Sequence, residues 1–209
     1  MSAGRHPINP RPIAIVIIGL VIGTAAAIAV FPEARQRLLP SAAQTVSGKA
    51  LVGGPFSLTD SSGKRVTDKD FRGRDMLVFF GFTSCPDICP ASLQLMSTVL
   101  DKLGPKADRI TPIFITIDPE RDTAPKLDEY VKHFSPRIVG LTGTPEEIAT
   151  AAKAYRVYYN KVPNKTVPGN YTMDHTGIIY LMDANGDYVT HFTPATPVDD
   201  MTAKLAKLL

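Results

Sequence analysis

Residues Ile13 to Phe31, IAIVIIGLVIGTAAAIAVF, run for 19 positions without a charge, and this run divides the chain before any fold is considered. A helix needs about 20 apolar residues to cross about 30 Å of hydrocarbon, and a small soluble core has no place for such a segment. Pro10, Pro12 and Pro32 bracket it. The reading is one N-terminal transmembrane helix: 1–12 a tail, 13–31 the anchor, 32–47 a linker of small and polar residues, and 48–209 the folded domain. A cleaved signal peptide is the rival, because the Ala-rich end suits a peptidase, but the run exceeds the usual apolar region of about 7–15 residues. Arg5 and Arg11 precede the span and Arg35 and Arg37 come just after it, so the positive-inside rule leaves the orientation open. No cysteine lies close behind the run to carry a lipid instead.

Beyond the linker the chain is long enough for about one domain. The net charge is +3, from 23 basic and 20 acidic residues with no Lys/Arg-rich block, which excludes nucleic acid as an expected partner. Phe56 to Val66 (FSLTDSSGKRV) alternates on either side of a Ser-Ser-Gly turn and predicts a hairpin. Met76 to Phe82 (MLVFFGF) is continuously apolar yet too short for a helix, as expected of a central parallel strand covered on both faces. ITPIFITI (Ile110–Ile117) and RIVGL (Arg137–Leu141) read as further strands.

Helical spacing separates them. Leu93, Met96, Leu100 and Leu103 come after Pro90, which suits a first turn. Leu127, Tyr130, Val131 and Phe134 share one face behind Thr123 as a cap. Thr144-Pro-Glu-Glu147 has the pattern of a capping box, ahead of Ile148, Ala151, Ala152 and Tyr155. After a Pro-, Asn- and Gly-containing excursion over 160–170, GIIYLMD and YVTHF flank a turn at Ala184–Asp187, and Met201, Leu205 and Leu208 predict a last helix. This order specifies an α/β domain, a central sheet with flanking helices on both faces.

The only cysteines, Cys85 and Cys89, fall where a buried strand gives way to a helix. A disulfide closing so short a loop adds little stability, so reactivity or metal binding is the better reason for the pair. Unpaired N–H groups and the positive end of a helix dipole favour the thiolate there, and two soft sulfurs suit Cu(I) or Zn(II). Two inert buried cysteines are the plainer alternative, but Pro86, Asp87 and Pro90 are not an apolar setting. Four histidines compete to complete the site. His6 lies before the anchor, His133 late in a helix on its solvent side, and His191 within a strand; His175, in the loop of YTMDHTG directly before a strand, could approach the sulfurs, with a loop histidine of no role as the plain alternative. Asp174 beside it offers a carboxylate to hold the ring in one tautomer.

CPDICP behind the strand end GFT, IDPERDT (Ile117–Thr123) and DHTGIIYLMDANGDY (Asp174–Tyr188) together resemble the Sco/SenC family of thioredoxin-like copper proteins, over about Phe56 to Leu209. The resemblance implies a thioredoxin-like fold and a single-pass anchor in the bacterial inner membrane, with the tail cytoplasmic and the domain in the periplasm, or the mitochondrial equivalent. It further implies that Cys85, Cys89 and His175 bind one copper ion, as Cu(I) or Cu(II), with Asp118 assisting the site. By the same resemblance the domain helps build the dinuclear copper (CuA) centre of cytochrome c oxidase subunit II, alongside other periplasmic copper chaperones or thiol oxidoreductases. Arg121 and Asp122 are read as holding their loop by local ion pairing.

Cys85 and Cys89 also suit a redox-active pair, since cysteines four apart at a helix start can meet within the about 4.4–6.8 Å Cα separation of a disulfide. A thiol-disulfide reductase acting on the oxidase subunit is therefore the main rival, although the usual redox motif has two residues between its cysteines. A copper-linked redox sensor would use the same residues. A thiol peroxidase would have Cys89 as its resolving thiol, and a structural zinc site would need a fourth protein ligand that is not evident.

Overall fold

Asp60 folds the first hairpin: its Oδ1 accepts from the backbone N–H groups of Ser62 and Lys64, closing the turn between β1 (Ser57–Asp60) and β2 (Arg65–Thr67). The structure, a computed structural model, describes residues 51–164, 166 and 170–209. The expected tail, transmembrane span and linker lie outside the described residues, and none of the described helices is long and apolar enough to cross a membrane.

The apolar runs take the centre. β3 (Asp75–Gly81) is buried from Met76 onward and β4 (Ile110–Thr116) throughout, so both faces of the sheet are covered here. They pair in parallel from Asp75↔Ile110 to Gly81↔Thr116, which requires a crossover, and α1 (Ile88–Leu103) supplies it. α1 buries Leu93, Met96, Leu100 and Leu103, the four residues its spacing selects. α2 (Ala124–Lys132) leads into β5 (Val139–Thr142), which pairs in parallel with β4. Thr123 sits at the extended N-cap position of α2 without a side-chain capping bond, so the start rests on backbone geometry and on Pro125 in the first turn.

α3 (Pro145–Ala154) opens with the expected capping box: Glu147 N–H donates to Thr144 Oγ1 at 3.3 Å and Thr144 N–H to Glu147 Oε2 at 2.9 Å. Behind it the structure corrects the sequence reading. Residues 160–170 are not a plain excursion: β6 (Tyr159–Pro163) and β7 (Tyr171–His175) pair antiparallel as a separate two-stranded sheet, with His175 at the end of a strand instead of in a loop. Only Met173 of these ten residues is buried, so no alternating apolar pattern marks the strands.

β8 (Ile179–Met182) and β9 (Tyr188–Phe192) form the closing hairpin about Gly186, whose φ of +76° is a conformation glycine adopts without strain. In α4 (Val198–Leu208) Met201 and Leu205 are buried, whereas Leu208 at the last position is 47% exposed and does not reach the core. The main sheet has the order β2-β1-β5-β4-β3-β8-β9. β3 thus lies beside β8, and its C-terminal end meets the segment that joins the two-stranded sheet to β8.

Candidate metal centre

β3 ends where it does because Gly81 has no side chain. A Cβ there would stand 2.8 Å from Cys89 Sγ, 2.8 Å from the Phe114 ring and 3.1 Å from the Phe79 ring, so the bare backbone is what lets the first turn of α1 lie against the strand end. Cys89, second residue of α1, is wholly buried, and Cys85, in the loop before it, is partly exposed. Cys85 Sγ accepts the Cys89 backbone N–H at 3.4 Å, taking up one of the unpaired donors of the helix start.

Across the gap, His175 Nε2 lies 3.5 Å from Cys89 Sγ. Its Nδ1 lies 3.1 Å from the carbonyl oxygen of Thr176, which can only accept, so Nδ1 is a donor and Nε2 is the nitrogen turned to the sulfurs. Asp174 is solvent-exposed, and this carbonyl stands in the tautomer-fixing place expected for its carboxylate. Phe82 and Phe79 meet the imidazole edge-on at centroid distances of 5.9 and 6.2 Å, restricting its rotation. One ligand atom from each of Cys85, Cys89 and His175 lies within 4.8 Å of the others, and among the described residues this is the group of such side chains able to share one ion. His133 and His191 are exposed and take no part; His6 lies outside the described residues.

The two thiols do not ionise alike. The S–H of Cys89 donates to Cys85, and this bond, helped by His175 and the backbone N–H groups of Asp87 and Cys89, pulls the Cys85 thiol down to about 4 against the cost of burial. Sharing its proton with Cys85, and buried besides, Cys89 is pushed far up. The pair therefore favours a single negative charge at neutral pH, with the more accessible Cys85 the easier to ionise.

Asp118 is buried and accepts from the Tyr171 hydroxyl at 2.8 Å and from Arg121 Nε. Arg121 in turn donates to the Tyr171 carbonyl at 2.9 Å and lies 3.8 Å above the Tyr171 ring. Burial, and the bond to the Asp118 carboxylate, push the Tyr171 phenol up to about 12, which keeps it a donor. Glu120 pairs with Lys161 at 2.6 Å. Asp118 therefore acts at one remove: with Arg121 and Glu120 it fastens the β6–β7 sheet, and so His175, to the β4–α2 loop.

Asp122 makes a local ion pair with Lys126, as expected, and adds longer-range bonds to it. Fully buried, it accepts the Thr83 N–H at 2.9 Å, the Thr83 hydroxyl at 2.5 Å and the Thr116 hydroxyl at 2.7 Å, with Lys126 reaching it at 3.2 Å from the solvent side. It thereby ties the strand end that carries the cysteines to the end of β4. Sequence reasoning misses Gly81, Thr83 and Tyr171; GFT holds a signal for the first two, while nothing marks Tyr171 once its strand goes unread.

The SCO1/SenC family model matches residues 44–209. Protein SCO1 homolog, mitochondrial, of Homo sapiens is 47% identical over 161 residues, covering 76% of this chain and 53% of that protein. Protein SCO1 homolog 1, mitochondrial, of Arabidopsis thaliana is 43% identical over 162 residues, 77% of this chain and 48% of its own, so the chain spans about half the length of these relatives. Among solved structures, Bradyrhizobium japonicum ScoI with copper bound is similar with a TM-score of 0.70 and 49% identity, covering 76% of this chain and 99% of that one.

The depressed Cys85 thiol makes a testable difference. Iodoacetamide should modify Cys85 selectively in the reduced, metal-free protein, at a rate changing less than about twofold between pH 8 and pH 6, because a pKa of about 4 leaves the thiolate intact throughout. An ordinary thiol slows close to about a hundredfold over that range, and such a fall would contradict the assignment. The matching sequence model, the relatives and the thioredoxin-like sheet with flanking helices establish that the chain belongs to the SCO1/SenC family.

Proposed function

We propose that the domain binds one copper ion through Cys85, Cys89 and His175 and passes it on during assembly of the CuA centre of cytochrome c oxidase subunit II. The observation that carries this reading is the meeting of two sulfurs and one imidazole nitrogen within 4.8 Å. Thiolates stabilise Cu(I), the imidazole makes Cu(II) tolerable, and a three-donor shell leaves a position through which a partner's ligand can enter. The copper bound to the similar Bradyrhizobium ScoI and family membership support the same cargo. In this reading residues 13–31 anchor the chain, with 1–12 cytoplasmic, 32–47 as the linker and 48–209 on the periplasmic side of a bacterial inner membrane, or the mitochondrial equivalent. Other periplasmic copper chaperones are the natural donors to such a site.

One observation favours a second reading. The thiolate sits on the more accessible sulfur with a buried thiol beside it, the arrangement needed to attack a partner's disulfide and then resolve it. The pair would then be redox-active and keep the subunit II cysteines reduced. A copper-linked redox sensor would combine both chemistries.

His175→Ala should lower Cu(II) affinity by at least about tenfold in a competition titration while leaving Cys85–Cys89 disulfide formation unchanged, because exchange needs no imidazole. Equal Cu(II) binding by the two proteins would remove His175 from the ligand set. In cells lacking the gene, oxidase activity restored by added copper is the outcome expected of delivery; restoration by a thiol reductant and not by copper would favour the second reading.

A further inference from the structure

The parallel strands β3, β4 and β5 all begin at one end of the sheet, and an arginine stands just before each beginning: Arg74, Arg109 and Arg137. All are exposed. Arg74 and Arg137 line one cavity of about 300 Å³ with Asp108, whose carboxylate meets Arg137 at 3.2 Å in a pair with side chains 49% and 74% exposed. So open a pair holds its arginine only weakly.

The described chain begins at this same end. Gly53 N–H donates to the Ala154 carbonyl at 3.0 Å, and a Cβ on Gly53 would stand 2.3 Å from Cε of Met182, which pairs with Met76 at the start of β3. Leu51 is 78% exposed beside a groove of about 410 Å³ whose charged lining is Lys153 and Arg156, and Arg156 Nε donates to the Leu51 carbonyl at 3.1 Å. Acidic groups here are engaged within the domain: Asp68 pairs with Arg72 at 2.6 Å, and Asp183 accepts the N–H groups of Asn185 and Asp187. Charge is reversed at the other end of β3, seven residues or about 20 Å away, where exposed Asp87 and Asp174 flank the cluster of Cys85, Cys89 and His175.

An exposed leucine among cations, at the end where the chain leaves the domain, suits a surface that is apolar beneath and anionic on top. Phosphate is also the group that an arginine fork grips best. We propose that this basic end of the domain lies on an anionic phospholipid surface, with Leu51 in the headgroup layer and the cluster of Cys85, Cys89 and His175 facing away from the lipid. The proposal rests on the anchor read in residues 13–31. Leu51 comes 20 positions after Phe31, a tether that keeps the domain within about 70 Å of the membrane, so an attraction weak in free solution acts at high effective concentration.

Acetylation of lysines by a water-soluble reagent reads the contact in the full chain. In nanodiscs with about one third phosphatidylglycerol, Lys153 should react about fivefold more slowly than in discs of phosphatidylcholine alone, and about 1 M salt, which cuts the screening length to about 3 Å, should abolish the difference. Lys161, on β6 beside the cluster, should react alike in both discs. Arg74→Glu, Arg109→Glu and Arg137→Glu together should remove the protection of Lys153; the corresponding glutamine variant, gentler on the fold, should lose about half of it. Equal Lys153 rates in the two discs would overturn the proposal, and so would protection of Lys161 in place of Lys153. Protection of Lys153 that survives high salt would mark a contact other than this one and overturn it too. Failure of the full chain to enter either disc would overturn the anchor and this proposal together.

Discussion

The contact between Cys89 and His175, made across 86 residues of chain, is the constraint to which the rest of this domain answers. The two side chains arrive on different elements, one at the start of a helix behind the central strand β3 and the other at the end of a two-stranded sheet that buries almost nothing. Neither can adjust far. Cys89 is pressed against Gly81, where even a methyl group would collide with its sulfur, and the imidazole is held between two aromatic edges and a backbone carbonyl.

The burial of acidic residues near the site is a consequence of this. A two-stranded sheet with one buried residue has little hydrophobic reason to stay in place. Its position comes from Tyr171, clasped by Asp118 and Arg121, and from the Lys161–Glu120 pair. The last of these is solvent-exposed and contributes little; the Asp118 network, with a buried carboxylate receiving two donors and a cation stacked on the ring, is the stronger tie. Asp122 fixes the other half by gathering Thr83 and Thr116 from the ends of neighbouring strands. One short segment, Ile117–Thr123, thereby registers both halves of the Cys85, Cys89 and His175 cluster against the same loop.

Much of this is legible in the sequence, for physical reasons that also explain where legibility stops. MLVFFGF and ITPIFITI announce buried strands because burial on both faces leaves no polar position, and the Thr144 capping box announces a helix because its two bonds are local. The cysteines are legible from their place at a strand-to-helix junction. β6 and β7 are not, because strands exposed on both faces keep no alternation, and the sequence pattern therefore puts His175 in a loop when it ends a strand. Adjacency in the chain points to Asp174 as the residue that orients the imidazole, yet it is exposed and the Thr176 carbonyl bonds the ring. The Tyr171–Asp118 bond spans 53 residues and leaves no local trace.

Two sulfurs and an imidazole nitrogen stand within 4.8 Å of one another, and the proposed function makes them the donors to one soft cation. X-ray absorption at the copper edge of the loaded, reduced protein addresses this most directly. The account predicts a shell of two sulfur donors and one imidazole nitrogen; a shell of sulfur alone, or of nitrogen and oxygen without sulfur, would contradict it.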